Sequence, residues 1–289
     1  MESIAIVIVT YRPTQEILKN FIETKDLAQK YGISKFFCVD NSLEKTEISN
    51  LFAELSDIEY IFNNNNGGLS RALNIGCNMA ISNDAEYAVL MDQDTIFPES
   101  FFSGIREYLN NLENGVGILA PNMYRLIRSN SGDLVLDERP LYGTETSEVE
   151  MVVTSGSVID LRLYSKVGGF DEKLFIGHID RDYSCKVINA KRTILRLGNV
   201  FVYQENGYAN ESNKISIGNR TFYASNYSSE RYYYAIRNEL YLRRLWGNKY
   251  TKEQRSPILK NIILLLLLED HKLDKLKAMI RGAYDSRRL

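Results

Sequence analysis

Along the first ninety positions, apolar residues fall into short unbroken runs, separated by stretches where they recur every three or four places. IAIVIVTY from Ile4 is apolar and β-branched, the composition of a strand buried on both faces. FFCVDNS from Phe36, EYIFNN from Glu59 and YAVLM from Tyr87 read as three further strands. Between them, Thr14 to Tyr31 carries Ile17, Leu18, Phe21, Leu27 and Ala28 at helical spacing. Leu69 to Ile81 does the same with Leu69, Leu73, Ile75 and Ala80. Strands alternating with helices predict a parallel sheet with right-handed crossovers. The expected fold class is therefore α/β, a mainly parallel Rossmann-like sheet flanked by helices.

In such sheets ligands sit beyond the carboxyl ends of the strands. The predicted strands end in Thr10-Tyr11, in Asp40-Asn41-Ser42, in the run NNNNGG from Asn63, and in Asp92-Gln93-Asp94. Each ending alone is ordinary turn chemistry. Four polar endings at one edge define a binding crevice.

Composition narrows the partners. The chain has 289 residues, 44% hydrophobic and 25% charged, which suits one large α/β domain or such a domain with a helical annex. A formal net charge of −2 argues against nucleic acid as a partner. Cys38, Cys77 and Cys185 are odd in number and lack metal-ligand spacing, the pattern of reduced thiols. The chain runs straight into a strand-like segment without a basic n-region, and its longest apolar run, Ile262 to Leu268, is too short to span a bilayer. The expected location is cytoplasmic, with peripheral contact at the inner face of the cell membrane as an option.

Asp92 and Asp94 lie one residue apart after a buried strand, and two carboxylates there need a positive partner. A second Asp-x-Asp triplet, Asp180-Arg181-Asp182, makes the spacing alone uninformative; the position after the fourth strand gives the first one meaning. Hard cations such as Mg²⁺ or Mn²⁺ take carboxylate oxygens and complete their shell with substrate phosphates. The missing partner is read as such a cation with a nucleotide diphosphate, whose departure the cation assists.

At these residues the sequence resembles a known family. TYRP at Thr10, VDNS at Val39, NNGGLSRALNIG at Asn65 and MDQD at Met91 are similar to the motifs of family 2 glycosyltransferases of the GT-A fold. TSGSVI at Thr154 and GGFDEKLFIGHIDRDYSCKV at Gly168 resemble the family's acceptor-side and catalytic-base segments. RYYYAIRN at Arg231 and RGAYDS at Arg281 resemble late motifs of its bacterial L-rhamnosyltransferase branch. The resemblance implies a catalytic domain over 1–221, with a nucleotide-sugar half at 1–95 and an acceptor half at 96–221, and a helical C-terminal region over 222–289. It implies an inverting transfer, from dTDP-rhamnose or a UDP-sugar, to a hydroxyl of a glycan or lipid-linked glycan in cell-surface polysaccharide synthesis.

The same resemblance places Thr10, Tyr11 and Arg12 over the nucleotide base, and Asp40 on base or ribose. Asn66, Gly67 and Gly68 would let the backbone approach the nucleotide. Arg71 falls near the diphosphate, Asp92 and Gln93 on the donor, and Asp94 on the metal. Asp92 and Glu205 are further candidate metal ligands. Ser155, Gly156 and His178 fall on the donor-sugar and acceptor side. Asp180 is the candidate base that deprotonates the attacking hydroxyl, with Asp182 as its rival. A helix starting nearby would instead make either one a cap. Ile179 stands where the family often has Glu, and Gln204 and Glu205 follow the next strand where it often has a His ligand.

From about residue 222 the chain changes character. Phe222, Tyr223, Tyr227, Tyr232, Tyr233, Tyr234 and Arg237 precede a stretch, Ile258 to Tyr284, with apolar residues at helical spacing. From Lys272 to Leu289, Lys272, Lys275, Lys277, Arg281, Arg287 and Arg288 outweigh Asp274 and Asp285. Such a segment can lie on an anionic leaflet, pack on the catalytic domain or form a homodimer contact. Two other classes share features of this sequence. A nucleotidyltransferase would carry a Gly-rich basic phosphate loop after the first strand, where this chain has TYRPTQ. A non-catalytic carbohydrate-binding protein would have no need of Asp94 and Asp180.

Overall fold

The computed structural model describes residues 2–112, 115–129, 133–136, 140–210, 214–217 and 220–289. β1 (Ile4–Thr10) is buried at all seven positions, so its sequence has no polar alternation. α1 (Gln15–Lys30) starts where Thr14 accepts a bond from Ile17 N at 3.3 Å, and it turns Leu18, Phe21, Thr24 and Ala28 inward. β2 (Lys35–Asp40), α2 (Glu47–Ala53), β3 (Ile58–Phe62), α3 (Gly68–Ser82) and β4 (Tyr87–Asp92) follow. Sequence periodicity missed α2, which is two turns long and is started by a capping box between Thr46 and Ser49. Next come β5 (Thr95–Ile96), α4 (Glu99–Asn110), β6 (Val116–Arg128), β7 (Leu134–Leu136), β8 (Ser147–Glu148), β9 (Val158–Asp160), α5 (Leu161–Val167), α6 (Ile179–Asn189) and β10 (Thr193–Asn210). The chain ends with β11 (Lys214–Ile217), β12 (Arg220–Tyr223), α7 (Ser229–Trp246), α8 (Ile258–Leu268) and α9 (Lys272–Asp285).

These elements form two compact units. The first comprises Met1–Met123, Tyr142–Phe175 and Ile179–Tyr203; the second comprises Tyr124–Leu141, Ile176–His178 and Gln204–Leu289.

The sheet that builds the first unit runs β3-β2-β1-β4-β9-β6-β10-β5. β1 pairs in parallel with both β2 and β4, and β2 with β3, so the four predicted strand ends lie at one edge. β9 then pairs antiparallel with both β4 and β6. Gly76 lets α3 settle onto β1, because a β-carbon there would meet Val7 Cγ1 at 2.3 Å. Arg106 on α4 is buried and satisfied by three carbonyls: Tyr31 at 2.8 Å, Glu2 at 2.9 Å and Gly32 at 3.0 Å. Cys38, Cys77 and Cys185 are all buried.

In the second unit α7 packs closely on α9, and Ile236, Leu265 and Met279 form a small core. The helical stretch predicted from Ile258 to Tyr284 is two helices. The break falls at Glu269, which turns inward to accept from Ser225 N at 2.7 Å, Asn226 N at 3.2 Å and Lys275 Nζ at 2.6 Å. Bonds to an ionised carboxylate are stronger than neutral ones, which holds Glu269 in its inward turn.

Candidate active site

Each strand end in the first unit carries a polar turn, and each turn is tied to the next. Past β1, Tyr11 N donates to Gln93 Oε1 at 2.7 Å and Gln93 Nε2 donates back to Tyr11 O at 3.3 Å. The loop after β1 is thereby locked to the Asp92-Gln93-Asp94 turn after β4. Arg12 has a left-handed φ of 50°, and its N–H donates to Ser42 Oγ at 2.7 Å, so the same loop is tied to the end of β2. Tyr11 is exposed, with the Arg12 guanidinium 5.5 Å from its ring centre. Thr10 is buried.

Asp40 is fully buried. Its Oδ1 accepts from Ser42 N at 2.9 Å and Ser42 Oγ at 2.5 Å, and its Oδ2 from Tyr60 Oη at 2.8 Å. Those bonds hold the turn after β2 in shape. Ser42 and Tyr60 did not emerge as site residues from the sequence. Only Ser42, two places after an Asp, carried a signal, that of a local Asp-backbone turn.

The loop after β3 is a knot of amides. Asn63 Nδ2 donates to Asn41 Oδ1 at 2.7 Å and Asn66 O at 2.8 Å, while Asn41 Nδ2 donates to Asn65 Oδ1 at 3.0 Å. Asn64, Asn65, Gly67 and Gly68 all have left-handed φ, which Asn and Gly accept most readily. Asn66 is exposed, and Arg71 is half-buried on the first turn of α3. The α3 amides of Leu69 and Ser70 donate to Phe175 O, at 2.7 and 3.4 Å. That segment leads toward α6.

The carboxylates come together at the end of β4. Asp92 is half-buried and accepts a short bond from Ser155 Oγ, while Asp94 is exposed in the turn. Ser155 reaches Asp92 because its own turn is laced to β4: Gly156 N donates to Leu90 O at 2.8 Å and Leu90 N to Ser157 O at 2.9 Å. Gly156 has φ 74°, and a β-carbon on it would stand 2.8 Å from Pro121 Cγ. That position requires glycine.

Asp180 and Asp182 both lie in the first turn of α6, and the fold treats them differently. Asp182 is 0% exposed, with Oδ2 3.1 Å from Lys186 Nζ. Asp180 is partly buried, and its Oδ1 accepts from Arg181 N at 2.9 Å. Burial pushes its carboxyl above the usual range; the Arg181 charge and backbone N–H pull it down, and the Asp92 charge pushes it up again. A cavity of about 10 Å³, the scale of one water, adjoins Asp180 and is lined also by Thr154, Ser157, Tyr183 and Ser184.

Two candidates belong to the second unit. His178 has φ 63°, and its Nε2 lies 3.4 Å from Glu239 Oε2. Glu205 is half-buried near the middle of β10.

Asp92 and Asp94 offer hard oxygen donors. Among the described residues, no three His, Cys, Asp or Glu gather into a closed cage. That donor set fits a cation that draws the rest of its shell from water and phosphate, as Mg²⁺ and Mn²⁺ do.

This sheet, with polar strand ends facing a carboxylate pair, is the fold of the GT-A glycosyltransferases. The crystal structure of GalNAc-T7 with UDP, GalNAc and Mn²⁺ superposes with a TM-score of 0.57 at 13% identity, over 98% of this chain and 57% of that one. The crystal structure of S. aureus TarS 1-349 gives 0.52 at 12%, over 99% and 71%. Residues 5–131 match the model for glycosyl transferase family 2. The dTDP-rhamnosyl transferase RfbF of Shigella flexneri is 25% identical over 191 residues, 63% of this chain and 62% of RfbF. The match thus spans less than two thirds of RfbF and of GalNAc-T7. Residues 5–131 carry a likeness to the family 2 glycosyltransferases, on a fold shared with GT-A enzymes.

Proposed function

We propose that this protein transfers a sugar, with inversion, from a nucleotide-diphosphate donor to a hydroxyl of a glycan or lipid-linked glycan. The observation that carries the reading is the turn after β4, where Ser155 Oγ donates to Asp92 and Asp94 stands exposed two residues on. Burial raises the proton affinity of the Asp180 carboxyl, and the Asp92 charge adds to that rise. A base must take a proton from a hydroxyl as the oxygen attacks, and a carboxylate raised above its usual range does so more readily at neutral pH. Asp180 has that character, while Asp182 is enclosed by its pair with Lys186. One displacement at the anomeric carbon, with one base, inverts the configuration.

Asp94, with Asp92, would hold Mg²⁺ or Mn²⁺, which supplies charge neutralisation for the departing diphosphate. Ser155 fixes the Asp92 rotamer through its short bond. Tyr11, Arg12 and Asn66 offer the exposed polar groups that face a nucleotide. Gly68 is instead closed off, since a β-carbon there would meet Phe175 O at 2.4 Å, and Gly67 lies under the Arg71 side chain, which offers a cation for the diphosphate from the first turn of α3. The donor proposed is dTDP-L-rhamnose, on the likeness to RfbF; a UDP-sugar is the competing donor, on the fold shared with GalNAc-T7. The setting is synthesis of cell-surface polysaccharide such as capsule or cell wall. Thermal stabilisation across a panel of dTDP- and UDP-sugars with Mn²⁺ tests it, because a ligand that binds the native state raises its stability. Stabilisation by dTDP-L-rhamnose above every UDP-sugar is expected. Stabilisation by none of them would remove the reading.

The C-terminal helices are proposed to rest on a lipid surface. Leu259 on α8 and Leu273 and Ile280 on α9 are 71%, 73% and 72% exposed, and Lys260, Lys277 and Arg281 lie exposed among them. No helix among the described residues is long and apolar enough to cross a membrane. Apolar side chains interleaved with cations are the composition of a surface-bound amphipathic helix.

A further inference from the structure

Asn74 sits on α3 one turn after Arg71, and its amide ties that helix to α5 and to the loop that follows α5. Its Nδ2 donates to Phe170 O at 3.0 Å and to Glu172 Oε1 at 3.1 Å. Its Oδ1 accepts from Tyr164 Oη at 2.7 Å and from Phe170 N at 2.9 Å. An amide side chain has two donor and two acceptor positions, and here all are filled. Gly169 makes room for these bonds: it has φ 63°, and a β-carbon on it would stand 2.7 Å from Tyr164 Oη and 2.9 Å from Asn74 Oδ1. The same helix takes hold of the loop again at its N-terminus, where Leu69 N donates to Phe175 O at 2.7 Å. Residues 170–175 are therefore bracketed by α3 at both ends.

The bracketed loop supports α6. The Phe170 ring packs on Tyr183 with centres 4.7 Å apart, and Tyr164 lies 5.8 Å from Phe170 and 6.2 Å from Tyr183. Tyr183 is only 3% exposed, so α6 cannot slide over these rings without opening a void. Lys186, on the next turn of α6, donates to Gly169 O at 2.8 Å. Asp180 lies one turn before Tyr183, the spacing at which side chains are neighbours on a helix. All of these residues belong to the first unit.

We propose that Asn74 is a positioning residue for the transfer reaction: it fixes the base helix α6 against the donor helix α3, and so sets Asp180 relative to a diphosphate at Arg71. The inference rests on the reading of Asp180 as the base and of Arg71 as the diphosphate cation. Base, hydroxyl and anomeric carbon must be in register, and misplacement by about 1 Å costs on the order of 10²-fold in rate. Truncating Asn74 removes a partner from Phe170 N, Phe170 O and Tyr164 Oη, and the loop beneath α6 loosens. Arg71 stays on its helix, so affinity for the diphosphate should stay.

The test compares Asn74→Ala with Leu109→Ala in the full chain. Leu109 is 1% exposed on α4 and makes none of these bonds. Nucleoside diphosphate release from dTDP-L-rhamnose or a UDP-sugar gives kcat. Calorimetric titration of dTDP and UDP with Mn²⁺ gives Kd, and hydrogen exchange follows the amides of residues 180–186. Asn74→Ala is expected to lower kcat by about 10–100-fold, to leave Kd within about twofold, and to speed exchange at those amides. Leu109→Ala should lose stability with none of these effects. If Asn74→Ala does not fold, Tyr164→Phe replaces it, removing one of the four bonds with an expected loss of about 2–10-fold in kcat. Near-normal kcat, equal losses in the Asn74 and Leu109 variants, or a kcat loss matched by a lost Kd overturns the proposal. If the wild type releases no diphosphate from any donor, the transferase reading fails, and exchange alone decides the bracket. Faster exchange at 180–186 confined to Asn74→Ala then supports it, and unchanged exchange overturns it.

Discussion

Gly282 marks the closest approach of α9 to α7, and replacing it with alanine should reverse the sign expected of a helical glycine. A β-carbon on Gly282 would stand 2.4 Å from Tyr233 O, 3.2 Å from Tyr233 C and 3.3 Å from Arg237 N. All three are backbone atoms of α7, so no change of rotamer relieves the clash. By helix propensity alone, Gly→Ala stabilises by about 1 kcal/mol. Carbon and oxygen approach to about 3.3–3.6 Å, so the two helices must part by about 1 Å. A gap of that size forfeits a quarter to a half of the dispersion energy around Ile236, Leu265 and Met279. Overpacking of this kind costs about 1–3 kcal/mol. Set against the propensity gain, the net is a loss of up to about 2 kcal/mol. Trp246, the one tryptophan of the chain, closes α7 and reports locally. Urea unfolding followed by its fluorescence should show a lower midpoint with an unchanged slope. A midpoint at or above that of the wild type would refute the close approach.

Lys275 and Glu269 form a pair only 4% exposed each, with Nζ 2.6 Å from Oε2. Lys275→Met strands a buried carboxylate and should cost about 3–5 kcal/mol, largely restored by adding Glu269→Gln; a single variant as stable as the double would contradict this. Burial pushes the Glu269 carboxyl up, but bonds from Lys275 and Ser225 outweigh it and leave it lowered. Its contribution is thus present above the ordinary carboxylate range and lost as pH falls through the lowered value, a slope Lys275→Met should reduce. Asp94→Ala should abolish the dependence of nucleoside diphosphate binding on Mn²⁺ in calorimetric titration; retained dependence would remove Asp94 as the metal ligand. Co-sedimentation with anionic liposomes should be strong at low salt and weaken as salt rises. Equal recovery in the supernatant with anionic and neutral lipid would mean the exposed leucines serve a protein contact.

The parallel half of the sheet was legible because its strands are buried on both faces and its helices carry inward stripes such as Leu18, Phe21 and Ala28. The strand ends could be read for the same reason: a buried run must stop where polar residues begin. Helix α2 and the short antiparallel strands β8 and β9 were not legible, since two-turn helices and two- or three-residue strands leave no period. Nor could spacing divide the roles of Asp180 and Asp182, which differ in the fold through Lys186, one turn past Asp182. Asn238 and Glu239 looked like an ordinary polar stretch of helix. The bonds of Asn238 to Ile176 O and Gly177 O depend on a left-handed backbone far back in the chain, which no local pattern announces.

The central claim is that Asp180 is the base, and Asp180→Asn tests it most directly. The variant should bind nucleoside diphosphate with Mn²⁺ as the wild type does, yet turn over about 10²–10⁴ times more slowly. The acid limb of the wild-type rate profile, displaced upward by burial of Asp180, should vanish with it. Stability offers an independent sign. A carboxylate whose proton affinity is raised by folding is most stable protonated, so its contribution is full below the ordinary carboxylate range and falls as pH rises through the raised value. Asp180→Asn should therefore be at least as stable as the wild type at neutral pH while losing its activity. Near-normal turnover in Asp180→Asn, beside an inactive but folded Asp182→Asn, would contradict the account and move the base to Asp182.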